Sequence, residues 1–200
     1  MAEVSAGLVK ELRERTMAGI SDCKKALVEC DADITRAAEF LRKKGLASAA
    51  KKAGRRTAEG ITQSYLHAGG KIGVLVEINC ETDFVAKTDQ FLTFTNDVAM
   101  QVAAMAPQYL TADDVPEAVT AKEREVLMAA AKESGKPDNV IGKVVDGQIA
   151  KWYKEICLLD QAFVKENKKS VRDLLNGLIS TIGENVQIRR FVRWEVGEDI

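Results

Sequence analysis

The chain has 200 residues, of which 46% are hydrophobic and 30% charged, and its formal net charge is −1. That length and composition describe a folded chain of one or two domains with a real core, not a disordered one. A near-neutral chain has no general field to hold phosphates, which argues against a broadly basic nucleic-acid binder but leaves room for a local basic patch.

The opening MAEVSAGLVKELRER mixes acids and bases and has no apolar run before a cleavage site, so it does not read as a signal peptide. No stretch reaches the roughly 18 apolar residues needed to cross a bilayer. The expectation is a soluble, cytoplasmic chain with no membrane partner. Cys23, Cys30, Cys80 and Cys157 form no CxxC pair, and His67 is the only histidine. Reduced, mostly buried thiols are expected, with no metal site and no cofactor.

Residues 1 to about 45 read as three short helices. Ser5 caps the first, which turns Leu8, Val9 and Leu12 to one face. Ser21 caps the second, with Cys23, Ala26 and Leu27 inward. Asp31 to Asp33 make a polar break. The third carries Ile34, Ala37, Ala38, Phe40 and Leu41, and Arg42, Lys43 and Lys44 followed by Gly45 mark its end. So small a bundle suits a docking module, residues 1–45, better than an active-site scaffold. Residues 46–59 read as a linker with some helical tendency. Its cations Lys51, Lys52, Arg55 and Arg56 read first as a solvated run and second as a surface for an anionic partner.

A domain over residues 60–200 follows. Ile61 to His67 and Lys71 to Asn79 are rich in β-formers, and Ala68-Gly69-Gly70 between them predicts a hairpin turn. The run IGVLVEI is nearly all apolar and predicts a strand buried on both faces. Phe91, Phe94, Val98, Val102 and Met105 mark a helix that Pro107 stops. Two helices, Pro116 to Ser134 and Asn139 to about Leu158, are broken at Gly135-Lys136-Pro137 and predict a helical hairpin. A loop from Leu159 to Lys169 leads to a helix starting near Ser170 and ending at Gly183. In the last strand Val186, Ile188, Val192, Trp194 and Val196 share one face, and Arg190 marks an edge or a bulge. The fold class is α+β: a three-helix module, then a three-stranded, mostly antiparallel sheet covered by helices with a helical hairpin.

Catalytic patterns are missing. Gly142-Lys143 has neither the glycine nor the Ser/Thr of a phosphate loop, no GxGxxG follows a strand, and no nucleophile is marked beside His67. These negatives argue for a non-enzyme. The segment that stands out is Cys80-Glu81-Thr82-Asp83-Phe84-Val85-Ala86-Lys87, between a strand and a long helix. Asp83 followed by Phe84 reads either as a helix cap with a core aromatic or as a polar-aromatic tip shown to a partner.

At this segment the chain resembles a known family. Thr82 to Lys87 is similar to the TDFVA motif of the bacterial translation elongation factor Ts family. Val9-Lys10-Glu11-Leu12-Arg13-Glu14-Arg15-Thr16, Ala18-Gly19 and Asp22-Cys23-Lys24-Lys25-Ala26-Leu27 resemble the family's head, and Ile188-Arg189-Arg190-Phe191 with Glu195-Val196-Gly197-Glu198 its ending. The resemblance implies a guanine-nucleotide exchange factor for elongation factor Tu, in both its GDP-bound and nucleotide-free forms. The head would be a ubiquitin-associated-like module docking through Leu12, Arg13, Ala18, Gly19 and Ile20. In the core, Asp83 and Phe84, flanked by Thr82 and Val85, would intrude near the partner's magnesium site. His67 resembles a family histidine that touches the same partner. Longer members have two core subdomains and this chain has room for one, so the resemblance implies a homodimer. Met17 and Ile20 stand where Gly and Met are common, and Ala162 where Pro is. Two rivals remain: a ubiquitin-associated-type adaptor, which leaves Asp83-Phe84 unexplained, and an RNA-associated protein using the basic cluster, which lacks interleaved aromatics.

Overall fold

The computed structural model of the chain describes residues 4–16, 18–134 and 137–198. The expectations at Met17 and at Gly135-Lys136 lie outside the described residues. The chain divides into two compact units: one takes residues up to 64, 75–97 and 173–191; the other takes 65–74, 98–172 and 192 onward.

The first unit opens with α1 (Ala6–Thr16), α2 (Ile20–Glu29) and α3 (Ile34–Lys52), which pack on one another. Each start has a local cause. Ser5 Oγ accepts the Leu8 N–H at 3.2 Å. Asp33 Oδ1 accepts from the N–H of Thr35 and Arg36 at 2.8 and 3.0 Å, after a reversal in which Asp31 and Ala32 take φ of 52° and 64°. α2 corrects the expected Ser21 cap: Gly19 stands at the cap without a side-chain bond, and Ser21 is already inside the helix. The Gly19 carbonyl accepts the first intrahelical bond, from the Cys23 N–H at 2.9 Å. Leu12, Cys23, Ala26, Leu27, Cys30, Ala37 and Leu41 form the core of these helices.

α3 does not stop at Gly45 but runs on to Lys52. Gly45 is buried and helical, and a Cβ there would lie 3.6 Å from Ser180 Cβ. The glycine therefore marks a close approach, not a terminus. The neighbouring cations are engaged along the side of the helix: Arg42 with Asp173 at 3.0 Å and Lys44 with Asp22 at 2.7 Å. Lys51 and Lys52 occupy the true last turn, where the helix dipole favours positive charge.

The sheet is three-stranded and antiparallel, β1 (Glu59–Leu66), β2 (Ile72–Cys80) and β5 (Val186–Glu195), with β2 in the middle. The hairpin turn is where the sequence places it. Gly69 and Gly70 hold φ of 87° and 69°, positions that cost a side-chain-bearing residue energy. β2 corrects the two-sided burial: Val74, Val76, Ile78 and Cys80 are buried, while Leu75 is 39% exposed and Glu77 and Asn79 are half-buried. Only one face is covered, so alternation reappears within an apolar run. β5 also departs from its expected pattern. Val186 and Ile188 are buried, but Arg189 and Arg190 are both exposed, and beyond them Trp194 is 59% exposed. The side chain of Arg193 is 13% exposed and donates to the Ala103 carbonyl at 3.3 Å. The strand changes phase at the arginine pair, and Arg190 reaches Glu77 at 2.6 Å.

α4 (Asp83–Ala86) and α5 (Asp89–Met105) follow β2. In the second unit, α6 (Glu117–Glu133) and α7 (Asp138–Ile156) form the expected hairpin around Ala131, Ile141, Val145 and Ile149. The expected loop from Leu159 to Lys169 is instead a small sheet, β3 (Ala162–Phe163) with β4 (Glu166–Ser170). It is pinned by two buried amides: Gln101 Nε2 donates to Gln161 Oε1 and to the Ala162 carbonyl, both at 3.1 Å, and Gln101 Oε1 accepts from the Val164 N–H at 2.9 Å. α8 (Val171–Ile182) belongs mostly to the first unit and ends at Gly183, whose φ of 86° turns the chain into β5.

Candidate functional site

Between the buried end of β2 at Cys80 and the start of α5, the first unit raises a short tip. Thr82 is extended (φ −129°, ψ 153°) and caps α4, its Oγ1 accepting from the Val85 N–H at 3.4 Å. Asp83 is the first helical residue. Its carboxylate takes the Lys87 ammonium at 2.7 Å, and that bond and charge hold the carboxyl below the usual carboxylate range. Phe84 is 84% exposed, whereas Val85 and Ala86 beneath it are buried. The cap is therefore Thr82, and the aromatic does not enter the core. Of the two readings of Asp83-Phe84, the core aromatic is overturned: Phe84 lies at the surface. Thr88 closes the segment, donating to the Val85 carbonyl at 2.8 Å and accepting the Phe91 N–H at 3.3 Å as α5 begins.

The tip is gripped from below by residues distant in sequence. Glu184 accepts the Thr82 N–H on Oε2 at 3.1 Å and the Thr82 hydroxyl on Oε1 at 2.8 Å. The Cys80 thiol donates to the Thr82 carbonyl at 3.1 Å. Burial, reinforced by the charge of Glu184, pushes that thiol up to about 11, so it keeps its proton at neutral pH. Glu81 accepts the Asn185 N–H at 2.6 Å and Arg55 Nη1 at 3.4 Å. Asn185, 2% exposed, donates to the carbonyls of Ala53 and Arg55 at 3.3 and 2.9 Å. Arg55 thus touches Glu81 while its side chain stays 52% exposed, so it keeps its place in the solvated run that the sequence predicts.

The other expected contact residues of this unit gather at the α1–α2 corner. Arg13 and Gly19 are exposed, Ile20 is 59% exposed, Ala18 is half-buried against the helical core, and Leu12 is fully buried below them. Thr16 and Cys23 hold the corner. Thr16 Oγ1 donates to the Leu12 carbonyl at 2.8 Å and accepts the Ala18 N–H at 3.4 Å, and the Cys23 thiol donates to the Ala18 carbonyl at 3.6 Å. His67 belongs to the second unit, exposed beside Tyr65, whose hydroxyl lies 3.3 Å from its Nδ1. The expected residues of the first unit thus form a corner group and a tip group, and His67 belongs to the second unit. Among the described residues no set of His, Cys, Asp and Glu is placed to hold a metal ion.

Sequence reasoning places Glu81 in the segment that stands out without giving it a role, and misses Glu184 and Asn185. Glu184 and Asn185 follow a helix-ending glycine and look there like ordinary turn residues. Nothing local announces that they meet a loop about a hundred positions earlier.

Comparison with known proteins adds to this geometry. A family model described as Elongation factor TS matches residues 48–198. The chain is similar to Elongation factor Ts of Thermoanaerobacter sp. (strain X514), 57% identical over 98% of this chain and 97% of that protein. It is similar also to Elongation factor Ts of Desulforamulus reducens, 56% identical over 100% and 92%, and of Geobacter sulfurreducens, 54% identical over 98% and 91%.

Proposed function

The chain belongs to the elongation factor Ts family and serves translation elongation, and on that premise we propose that it is a non-enzymatic exchange factor that binds elongation factor Tu and releases its GDP for reloading with GTP. The observation that carries this reading is Phe84, 84% exposed at the end of a gripped tip, with the Asp83 carboxylate beside it. Burying such an aromatic in a partner is worth about 1.5–3 kcal/mol. If that burial is available only in the nucleotide-free arrangement, linkage requires the tip to weaken nucleotide binding by the same factor. Asp83 adds a negative charge that competes near the magnesium site. No covalent step is needed.

In this reading residues 1–45 dock, 46–59 connect, and 60–200 act. Arg13, Ala18, Gly19 and Ile20 touch the partner at the corner, with Leu12 supporting them from the core. Thr82, Asp83 and Phe84 act at the tip over the buried Val85, and His67 adds a third contact. The protein works in the cytoplasm without a cofactor, nucleic acid or membrane. It pairs as a homodimer, consistent with Leu66, Trp194 and Val196 of the second unit standing 75%, 59% and 73% exposed.

The test is release of a fluorescent GDP analogue from elongation factor Tu. Micromolar amounts of this chain should accelerate release, and an unchanged rate overturns the reading. Light scattering tests the pairing separately: a mass of two chains is expected at micromolar concentration, and a single-chain mass rejects it.

A further inference from the structure

We propose that Glu184 is a positioning residue for exchange: its carboxylate anchors Thr82 and so holds Phe84 and Asp83 at the angle from which they act. The inference rests on the exchange reading above, because it assigns a task within it.

A four-residue helix has no stability of its own, since nucleation fixes several dihedrals for a single hydrogen bond. An aromatic that is 84% exposed contributes no burial to hold that helix in place. Burial of Val85 and Ala86 seats the helix, and Thr88 ties its far end, so the orientation of Phe84 is completed by what holds the backbone just before it. Two of those holds reach Thr82 from one carboxylate, through its N–H at 3.1 Å and its hydroxyl at 2.8 Å. Bonds to an ionised acceptor are the stronger kind, and a two-point grip fixes direction as well as distance. The hydroxyl that donates to Glu184 also accepts from the Val85 N–H, so the anchor passes directly into the helix that carries Phe84.

Glu184 is itself held on both sides. Gly183 before it turns the chain out of α8 with a φ of 86°. Asn185 after it is buried and gives its N–H to Glu81 at 2.6 Å. Glu81 adjoins Thr82 in sequence, so two antiparallel pieces of chain cross-brace each other. The tip stands on a rigid base, the arrangement a site needs when angle matters more than contact area.

The test has two arms. In the first, amide hydrogen exchange is followed in Glu184→Ala without any partner. Exchange of the Thr82 and Val85 amides should become about tenfold faster while β2 and α8 keep their protection. Unchanged protection at the tip overturns the anchor. In the second, release of the fluorescent GDP analogue is measured for a double-mutant cycle. Glu184→Ala should slow accelerated release about tenfold in the unmodified chain, and by less than about twofold in the Asp83→Ala/Phe84→Ala background, because the anchor then holds nothing that acts. An equal loss in both backgrounds makes Glu184 merely structural and overturns the proposal.

Glu184→Gln keeps one carbonyl acceptor for the Thr82 N–H but loses the charge and the second acceptor, so it should recover part of the rate, about threefold above the alanine variant, and it guards against misfolding in that variant. Failure of the glutamine variant to improve on alanine, with both folded by circular dichroism, counts against the geometry. If the unmodified chain itself leaves GDP release unaccelerated, the exchange reading falls, and with it the task assigned to Glu184. The hydrogen-exchange arm then still decides whether the anchor exists.

Discussion

The α1–α2 corner and the Thr82–Lys87 tip both show a large apolar side chain to solvent, Ile20 and Phe84, yet they are built in opposite ways. The corner is assembled from neighbours: Thr16, Ala18 and Cys23 bond within a few positions of one another, and Leu12 and Leu27 pack beneath. Its grip is made of neutral hydroxyl and thiol bonds. The tip is held by charged acceptors, Glu81 and Glu184, the second of which lies 102 positions away from Thr82. A corner of the first kind suits affinity, where small adjustments cost little. A tip of the second kind suits an action that depends on direction.

The contrast makes its sharpest claim at Phe84. Phe84→Ala should reduce accelerated GDP release about thirtyfold at saturating factor, with thermal stability unchanged because the ring is exposed. Ile20→Ala should act on the other axis, raising the half-saturating concentration about tenfold while leaving the saturated rate near its original value. If both variants moved the same parameter, the division of labour between corner and tip would be wrong.

Asp33→Ala removes two bonds at the α3 start and should destabilise the helical head by about 1 kcal/mol, read as a lower denaturant midpoint. The tip answers instead to alkali. The Cys80 thiol is raised from 9.0 to about 11 in the folded chain. Its stabilising effect is complete below the unfolded value and is lost as pH rises from 9 towards 11, because the unfolded chain releases the proton first. At pH 9.5 the loss is still under about 1 kcal/mol. Buried Cys157 is raised in the same way, so Cys80→Ala should make that part of the pH–stability curve shallower by about half, and an equally steep fall in the variant rejects the assignment.

What the sequence made legible follows the same division. Ser5, the Asp31–Asp33 reversal, the Gly69-Gly70 turn and the Gly183 stop each act through bonds to near neighbours, and each is readable from residue type. Gly45 reads in the sequence as the terminator of α3, and only the nearness of Ser180 shows it to be a crossing point. Glu166-Asn167-Lys168-Lys169-Ser170 has no apolar alternation, so the sequence predicts a loop where the β3–β4 pair forms. Its register depends on the buried amides of Gln101 and Gln161, sixty positions apart. At the candidate site, Asp83 and Phe84 stood out, but whether they capped a core or faced outward depended on Glu184, which no local pattern links to them.

The distance between Thr82 and Glu184 also orders events in time. A ribosome extends a chain at about 5–20 residues per second, so the segment bearing Phe84 emerges several seconds before its anchor does. Over that interval the two antiparallel braces cannot form, and long-range closures of this kind come late in folding. The nascent chain therefore carries an aromatic with no fixed bearing, and gains one only when α8 has been made and the turn at Gly183 has delivered Glu184 and Asn185 beneath the loop.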